Sequence, residues 1–445
     1  MILHCFHLEG LSVNTYFVGD ETTGRAVIID PTRDLEPYVR FAQLKKFQIT
    51  DILETHVHAD FVSGSRELKQ RLLNRPKIHC SALGGEEWIP DYADYPFKDG
   101  HIVELGNVRL QALHTPGHTP EHVIWLCYDE ARSKEIPCLV FTGDLLFVGG
   151  IGRPDLLGKD AEKTLALSLY NSLFNVMGNL PDFLEIFPAH GAGSLCGKGL
   201  SARPSSTLGY ERMFNPSMIK EPADIWTQKL LKDISAAPLN FSRLKKMNVH
   251  PIQKLEKSAH FMIDVRNPQN FAKGHLKGAV NIPFGNPFCN WAGSIVPDGA
   301  SITIIGEDGD QLAEVKTNLG LIGFDTIEKM MVWSEREEEI DTLSLISVEA
   351  VAEQIKEGIP LYILDVRMPA EWKSGHIKEA HLLELSTLAD KLNQIPRTMP
   401  ILTICGSGYR SSLAASYLKK HGYKDVSSIW GGMSAWKKAN LPVIP

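Results

Sequence analysis

Thr55-His56-Val57-His58-Ala59-Asp60-Phe61 sets two imidazoles and a carboxylate within five positions, directly after the apolar run Ile52-Leu53. Residues two apart on extended backbone point the same way, so His56 and His58 can converge on one point. Neutral imidazole is the commonest protein metal ligand. Further donors follow: His118 in His114-Thr115-Pro116-Gly117-His118, Asp144 closing Phe141-Thr142-Gly143-Asp144, and His190 in Pro188-Ala189-His190-Gly191. A polar-loop reading suits any one of these, but their recurrence at the ends of apolar runs points to a metal centre. Far along the chain, Ile401-Leu402-Thr403-Ile404 runs into Cys405-Gly406-Ser407-Gly408-Tyr409-Arg410 and then a helix-forming segment from Ser412 to Leu418. Backbone N–H groups of a loop so placed converge at a helix N-terminus, where anions are favoured. A cysteine there becomes a thiolate nucleophile, and Arg410 can fork onto the oxygens of an anionic substrate.

The elements that must position these groups are legible as short apolar runs between Gly, Pro and polar turns. Ala26–Asp30, Asp51–Leu53, Val108–Leu113, Val123–Leu126 and Cys138–Phe141 are strand candidates by length and β-branched content. Gly106-Asn107 fits a hairpin turn. Helices are expected after Ser63, with Leu68, Leu72 and Leu73 on one face, and after Asp160, with Leu165, Leu169, Leu173 and Phe174. From 221 to 245 a Pro- and Ala-containing stretch reads as linker with some helix. Beyond it the chain repeats: Phe261-Met262-Ile263-Asp264-Val265-Arg266 with Gly274-His275 recurs as Tyr362-Ile363-Leu364-Asp365-Val366-Arg367 with Gly375-His376, Asp to His being eleven positions in both. One module thus occurs twice, each an α/β unit on a parallel sheet.

The 445 residues allow two to four domains at about 100 to 200 residues each. With 43% hydrophobic and 22% charged residues the composition is globular. A net charge of -7 supplies no field to attract phosphate backbones, so nucleic acid is not expected as a partner. No segment has the roughly 18 apolar residues of a membrane span, and Met1-Ile2-Leu3-His4-Cys5 shows no charged n-region followed by an apolar core; a cytoplasmic protein with no membrane contact is expected. Seven cysteines without C-x-x-C spacing fit reduced thiols.

The ordered set THVHADF, HTPGHT, FTGD, GIGRPD and FPAHGAG resembles the metallo-β-lactamase superfamily, and within it the persulfide dioxygenases. The Asp-Val-Arg and Gly-His pairs, with the loop C-x-x-G-x-R in the second copy, resemble rhodanese domains. The resemblance implies an α/β chain: an αββα metallo-β-lactamase sandwich over 1–220, a linker over 221–245, a degenerate rhodanese-like domain over 246–340 and an active rhodanese domain over 341–445, the rhodanese domains built on parallel sheets. In the middle copy Gly306 stands where the nucleophile should be and Gln311 where the arginine should be, so that copy is expected to be silent, a spacer or docking surface.

Hydrolases of the superfamily hold two zinc ions with H-x-H-x-D-H. Here the last histidine is Phe61, which cannot ligate, and a single metal is expected. By resemblance to persulfide dioxygenases, His56, His118 and Asp144 form the facial triad of one Fe(II), with His58, Asp60 and His190 as outer groups. Dioxygen and a small-molecule thiol persulfide are the implied co-substrates, and sulfite the product. Arg153 is expected at the mouth of this site against a substrate carboxylate, or else paired with Asp155. Cys196, six positions after His190 and near Lys198, is a candidate for accepting or relaying sulfur. In the last domain Cys405 and Arg410 are the implied catalytic pair, with Gly406, Ser407, Gly408 and Tyr409 lining the anion loop, and sulfite or thiosulfate as substrate. Phosphatases that use a related loop carry one residue more, which favours sulfur over phosphate. Two other readings stay open: a zinc-dependent thioester hydrolase with an attached sulfurtransferase, and a sulfur carrier with a vestigial metal domain. The thiol carrier, the direction of the sulfur-transfer step and the oligomeric state, a homo-oligomer included, are not fixed.

Overall fold

A computed structural model describes residues 1–445 except 198, 233, 235–237, 239, 251–258 and 335–338. The chain divides into two units, 1–254 with 320–323, and 255–319 with 324–445.

In the first unit two six-stranded sheets lie face to face. One has the order Ile2–Leu8, Val13–Asp20, Arg25–Ile29, Gln48–Leu53, Lys77–Ser81, Tyr95–Phe97; the other runs Ser206–Thr207, Glu185–Pro188, Leu139–Gly143, Val123–Asp129, Val108–His114, Ile102–Glu104. Tyr16, Val18, Val27, Ile29 and Leu53 of the first sheet meet Leu110, Ala112, Trp125, Cys127 and Phe141 of the second to form the central apolar layer. The opposite faces are apolar too. Ile28, Ile52 and Ile78 pack with Tyr38, Val39 and Ala42 of the helix Glu36–Lys45, while Ile124, Leu126 and Val140 pack with Leu169 of the helix Lys159–Asn171. Strands buried on both faces need helices over them, and the outcome is the expected αββα sandwich. The Gly106-Asn107 turn joins Ile102–Glu104 to Val108–His114 in an antiparallel pair, with Val103 opposite Leu110.

One expectation shifts. The helix after Ser63 spans Ser65–Arg71, so Leu73 lies past its end and is fully exposed. Part of the expected linker with some helix is helical and falls in the first unit. Its helix Ala223–Lys232 buries Trp226 against Tyr170 and Phe174, ring centroids 5.5 and 5.9 Å away.

The second unit holds the two repeats. The middle copy has a parallel four-stranded sheet in the order Val280–Asn281, His260–Asp264, Ser301–Gly306, Ile327–Val332. The C-terminal copy has a parallel five-stranded sheet in the order Ser344–Ile346, Val426–Ile429, Ile401–Ile404, Tyr362–Asp365, Ala380–Leu382. The shared signature has a structural reason. Arg266 forks onto Asp264 and donates to the Gly274 carbonyl, and Arg367 does the same with Asp365 and Gly375. His275 stacks on Phe271 at 3.7 Å and His376 on Trp372 at 3.6 Å. These groups tie the strand end to the next helix in both copies, whichever copy carries a thiol.

Candidate functional site

Every donor of the first site hangs from the end of a strand. His56 and His58 follow Gln48–Leu53, His118 follows Val108–His114, Asp144 follows Leu139–Gly143 and His190 follows Glu185–Pro188. His56, His118 and Asp144 come together, each offering an atom within 4.8 Å of the others, and all three are buried. His118 Nε2 lies 3.2 Å and His56 Nε2 3.8 Å from Asp144 Oδ2.

Hydrogen bonds to the far ring nitrogens aim the near ones inward. His118 Nδ1–H donates to the Arg153 carbonyl at 2.8 Å. The Thr55 hydroxyl donates to Asp30 Oδ2 at 2.7 Å, so it can only accept from His56 Nδ1–H, 2.9 Å away. Asp30 Oδ1 also accepts from Thr55 N at 2.7 Å. Both Nε2 atoms are therefore bare where they face Asp144. His122 is neutral by the same reasoning: its Nε2 accepts from Asp144 N at 3.0 Å, leaving Nδ1–H for Thr115 Oγ1 at 2.9 Å. Gly152 must be glycine, because a Cβ there would stand 1.9 Å from the Asp144 carbonyl oxygen.

Burial sets the protonation of the cluster. It pushes His56 well below its ordinary value and His118 down to about 3, and it raises Asp144 to about 6. His56 Nε2, His118 Nε2 and both Asp144 carboxylate oxygens are buried without a hydrogen-bond partner. Such atoms cost about 1–3 kcal/mol each when left unsatisfied. Two neutral imidazoles and a carboxylate fit a divalent cation, which would satisfy all of them.

The outer groups separate into two sets. His190 Nε2 lies 3.4 Å from both Asp144 Oδ1 and Asp60 Oδ2, with Cys196 completing a second cluster. His58 turns away, its Nε2 at 3.3 Å from Asp30 Oδ1 and 3.5 Å from Glu54 Oε2. Burial alone would lower His58, but these two carboxylates raise it well above its ordinary value. Phe61 is buried with its ring 4.3 Å from that of His58. Asn248 pins this segment, its amide donating to the His58 and Phe61 carbonyls at 2.7 and 2.8 Å and accepting from Ser63 N.

Arg153 is buried; its guanidinium forks onto Asp155 at 2.7 Å twice and donates to the Leu195 carbonyl. The fork onto Asp155 is one of the two pairings expected for it. Cys196 is 1% exposed, and burial pushes its thiol well up, opposite to the expected lowering; Lys198 lies outside the described residues.

In the C-terminal copy the Cys405 loop closes at Gly408, which caps the helix Tyr409–Lys420 in the left-handed region at φ 104°. Gly408 N donates to Cys405 Sγ at 3.1 Å, and Ser411 Oγ lies 3.6 Å from the same sulfur. Arg410 flanks this loop, its fork held by Glu371 at 2.6 and 2.7 Å. In the middle copy the Gln311 side chain folds back to accept from Glu307 N at 2.8 Å and fills the corresponding loop. Sequence reasoning missed Asp30, Thr55, His122, Asn248 and Glu371, whose residue types are ordinary and whose partners are mostly distant in the chain.

Residues 8–190 match the metallo-β-lactamase superfamily, and residues 252–329 and 347–439 match the rhodanese-like domain. Over 207 residues the chain is 33% identical to mitochondrial persulfide dioxygenase ETHE1 of Bos taurus, covering 46% of this chain and 70% of that protein. It is 34% identical over 187 residues to cytoplasmic hydroxyacylglutathione hydrolase of Arabidopsis thaliana, covering 42% of this chain and 66% of that protein. Among solved structures, a metallo-β-lactamase from Staphylococcus aureus superposes with a TM-score of 0.68 at 34% identity, over 75% of this chain and 98% of that one. The strand-end cluster of imidazoles and carboxylates and the duplicated strand–loop–helix module therefore have known relatives, and the chain belongs to the metallo-β-lactamase superfamily, as a homologue of the persulfide dioxygenases fused to rhodanese-like domains.

Proposed function

We propose that the chain is an enzyme of sulfur metabolism that oxidises a low-molecular-weight thiol persulfide to sulfite at one Fe(II), and moves sulfane sulfur at Cys405, giving or using thiosulfate. The observation that carries this reading is the donor set His56, His118 and Asp144, buried together with both Nε2 atoms and both carboxylate oxygens left without a hydrogen-bond partner, and with Phe61 where a further imidazole would be. His56, His118 and Asp144 would hold Fe(II), and the ion would supply the redox chemistry for adding dioxygen to the persulfide sulfur. The chain's own residues do the rest. Thr55 and the Arg153 carbonyl keep both Nε2 atoms bare, His122 fixes the Asp144 backbone, and Arg153 holds the 195–196 loop against the site through Leu195.

At the second site the Cys405 thiolate attacks the outer sulfur of thiosulfate. A sulfur–sulfur bond forms on Cys405 as the bond to the sulfonate sulfur breaks, and sulfite leaves with the electron pair. The reverse step transfers the sulfane sulfur from Cys405 to sulfite. Gly408 N–H offsets the thiolate charge. Metal analysis of anaerobically purified protein, with O2 uptake on persulfide addition and mass spectrometry of Cys405, tests the whole. Iron, O2 uptake and a persulfide on Cys405 are expected. Zinc with O2-independent thioester turnover would make the chain a hydrolase; no metal at all would leave a sulfur carrier.

A further inference from the structure

The middle copy lacks a thiol at its loop, yet its strand end is bonded along the helix that follows the Cys405 loop. Tyr409, Ser412, Ser416 and Lys420 recur at spacings of three and four and so form one stripe of the helix Tyr409–Lys420. Each member of the stripe meets the middle copy. The Tyr409 hydroxyl donates to the Pro283 carbonyl. Ser412 Oγ donates to Asn281 Oδ1 at 2.6 Å, and Asn281 N donates to Ser416 Oγ at 2.9 Å. Lys420 Nζ reaches the Gly278 carbonyl at 3.4 Å and lies 4.9 Å from the centre of the Phe261 ring.

Asn281 has no freedom to adjust. It is fully buried, and its Nδ2 donates to the Asp264 and Arg266 carbonyls at 3.0 and 2.9 Å. Those carbonyls belong to the strand end that the Asp264–Arg266 fork fixes. Asn281 Oδ1 is thereby aimed at the first turn of the helix, the turn whose leading N–H, that of Gly408, faces Cys405 Sγ. A charge–dipole contact of this kind acts within the first turn and weakens as the geometry loosens.

We propose that the silent middle copy is the positioning element of the sulfur-transfer loop: Asn281 and Pro283 hold the start of the helix Tyr409–Lys420 so that Gly408 N–H stays on the Cys405 sulfur. The proposal rests on reading Cys405 as the sulfur-carrying nucleophile. Asn281, Tyr409 and Ser412 are positioning residues; none is required to touch substrate. Glu371 and Asp365, which act on Arg410 beside the loop, belong with it to the C-terminal copy.

The test uses the full chain carrying Tyr409→Phe, Ser412→Ala or Asn281→Ala, the first two deleting one hydrogen bond each with little change in volume. Alkylation of Cys405 by iodoacetamide is followed across pH by mass spectrometry, together with thiosulfate sulfurtransferase kcat and KM and the thermal midpoint. Loosening the helix start should change the alkylation profile by slowing the reaction of Cys405, with kcat falling and KM nearly unchanged. Profiles that superimpose on the wild type in folded Tyr409→Phe and Ser412→Ala, whatever their thermal midpoints, would overturn the proposal. Wild-type Cys405 that takes no sulfur from thiosulfate would remove the sulfur-transfer reading instead, and the alkylation profiles would still report on the positioning.

Discussion

Thr55→Val isolates the hydrogen bond that orients His56, the first proposed metal ligand. The substitution preserves volume and deletes the acceptor of His56 Nδ1–H, together with one of the donors to Asp30. His56 is 3% exposed, so water does not replace the lost partner. Its proton can then move to Nε2, the nitrogen that faces Asp144, or the ring can turn. Losing an outer partner of a ligating imidazole typically weakens metal binding about 10- to 100-fold, or about 1.4 to 2.7 kcal/mol. The unsatisfied donor destabilises the metal-free chain by about 1–3 kcal/mol. Thr55→Ser keeps the hydroxyl and should lose neither. The assay is anaerobic titration of the metal-free chain with Fe(II) against a competing chelator, paired with thermal unfolding. Metal affinity in Thr55→Val equal to that of wild type and of Thr55→Ser would refute the reasoning, because His56 would then be oriented by something other than Thr55.

Three further outcomes are expected. Phe61→Ala should destabilise the metal-free chain by about 3–5 kcal/mol, as for a fully buried aromatic, while metal stoichiometry stays that of wild type; denaturant unfolding and metal analysis check both. Gly152→Ala should abolish metal retention, since its methyl falls 1.9 Å from the Asp144 carbonyl oxygen, and metal content after gel filtration measures this. Burial alone would raise the Glu371 carboxyl, but the Arg410 fork holds it below its ordinary value. A carboxylate depressed in the folded state stabilises fully above its unfolded pKa of about 4.3 and loses that contribution as pH falls through the folded value. The thermal midpoint of Glu371→Gln should therefore lie below wild type at neutral pH, and the gap should close on acidification below about pH 4.

The donors at strand ends were legible because both signals are local: an apolar run, then a residue type that can ligate. His56, His118 and Asp144 are each visible in a window of a few residues, and their convergence follows from strands ending on one side. What holds them is not local. Asp30 reaches His56 through Thr55, and Asn248 fixes the His58–Phe61 turn from 187 positions or more away. An asparagine on a surface-like helix gives no signal of this. In 221–245 Pro and Ala dilute the periodicity, so the helix Ala223–Lys232 and the burial of Trp226 leave little local signal. Arg153 carries two readings in its residue type, and the structure shows the internal one, the fork onto Asp155 two positions on.

Of the three proposed ligands, the first hangs from one sheet and the other two from the sheet opposite. An ion in that place would be a seam as well as a reaction centre. Stitching the layers at their rim, it would make slippage of one sheet over the other and release of the ion a single event. Chelation should then be felt as loosened breathing of the whole sandwich, detectable in amide exchange along both sheet edges, far from any ligand.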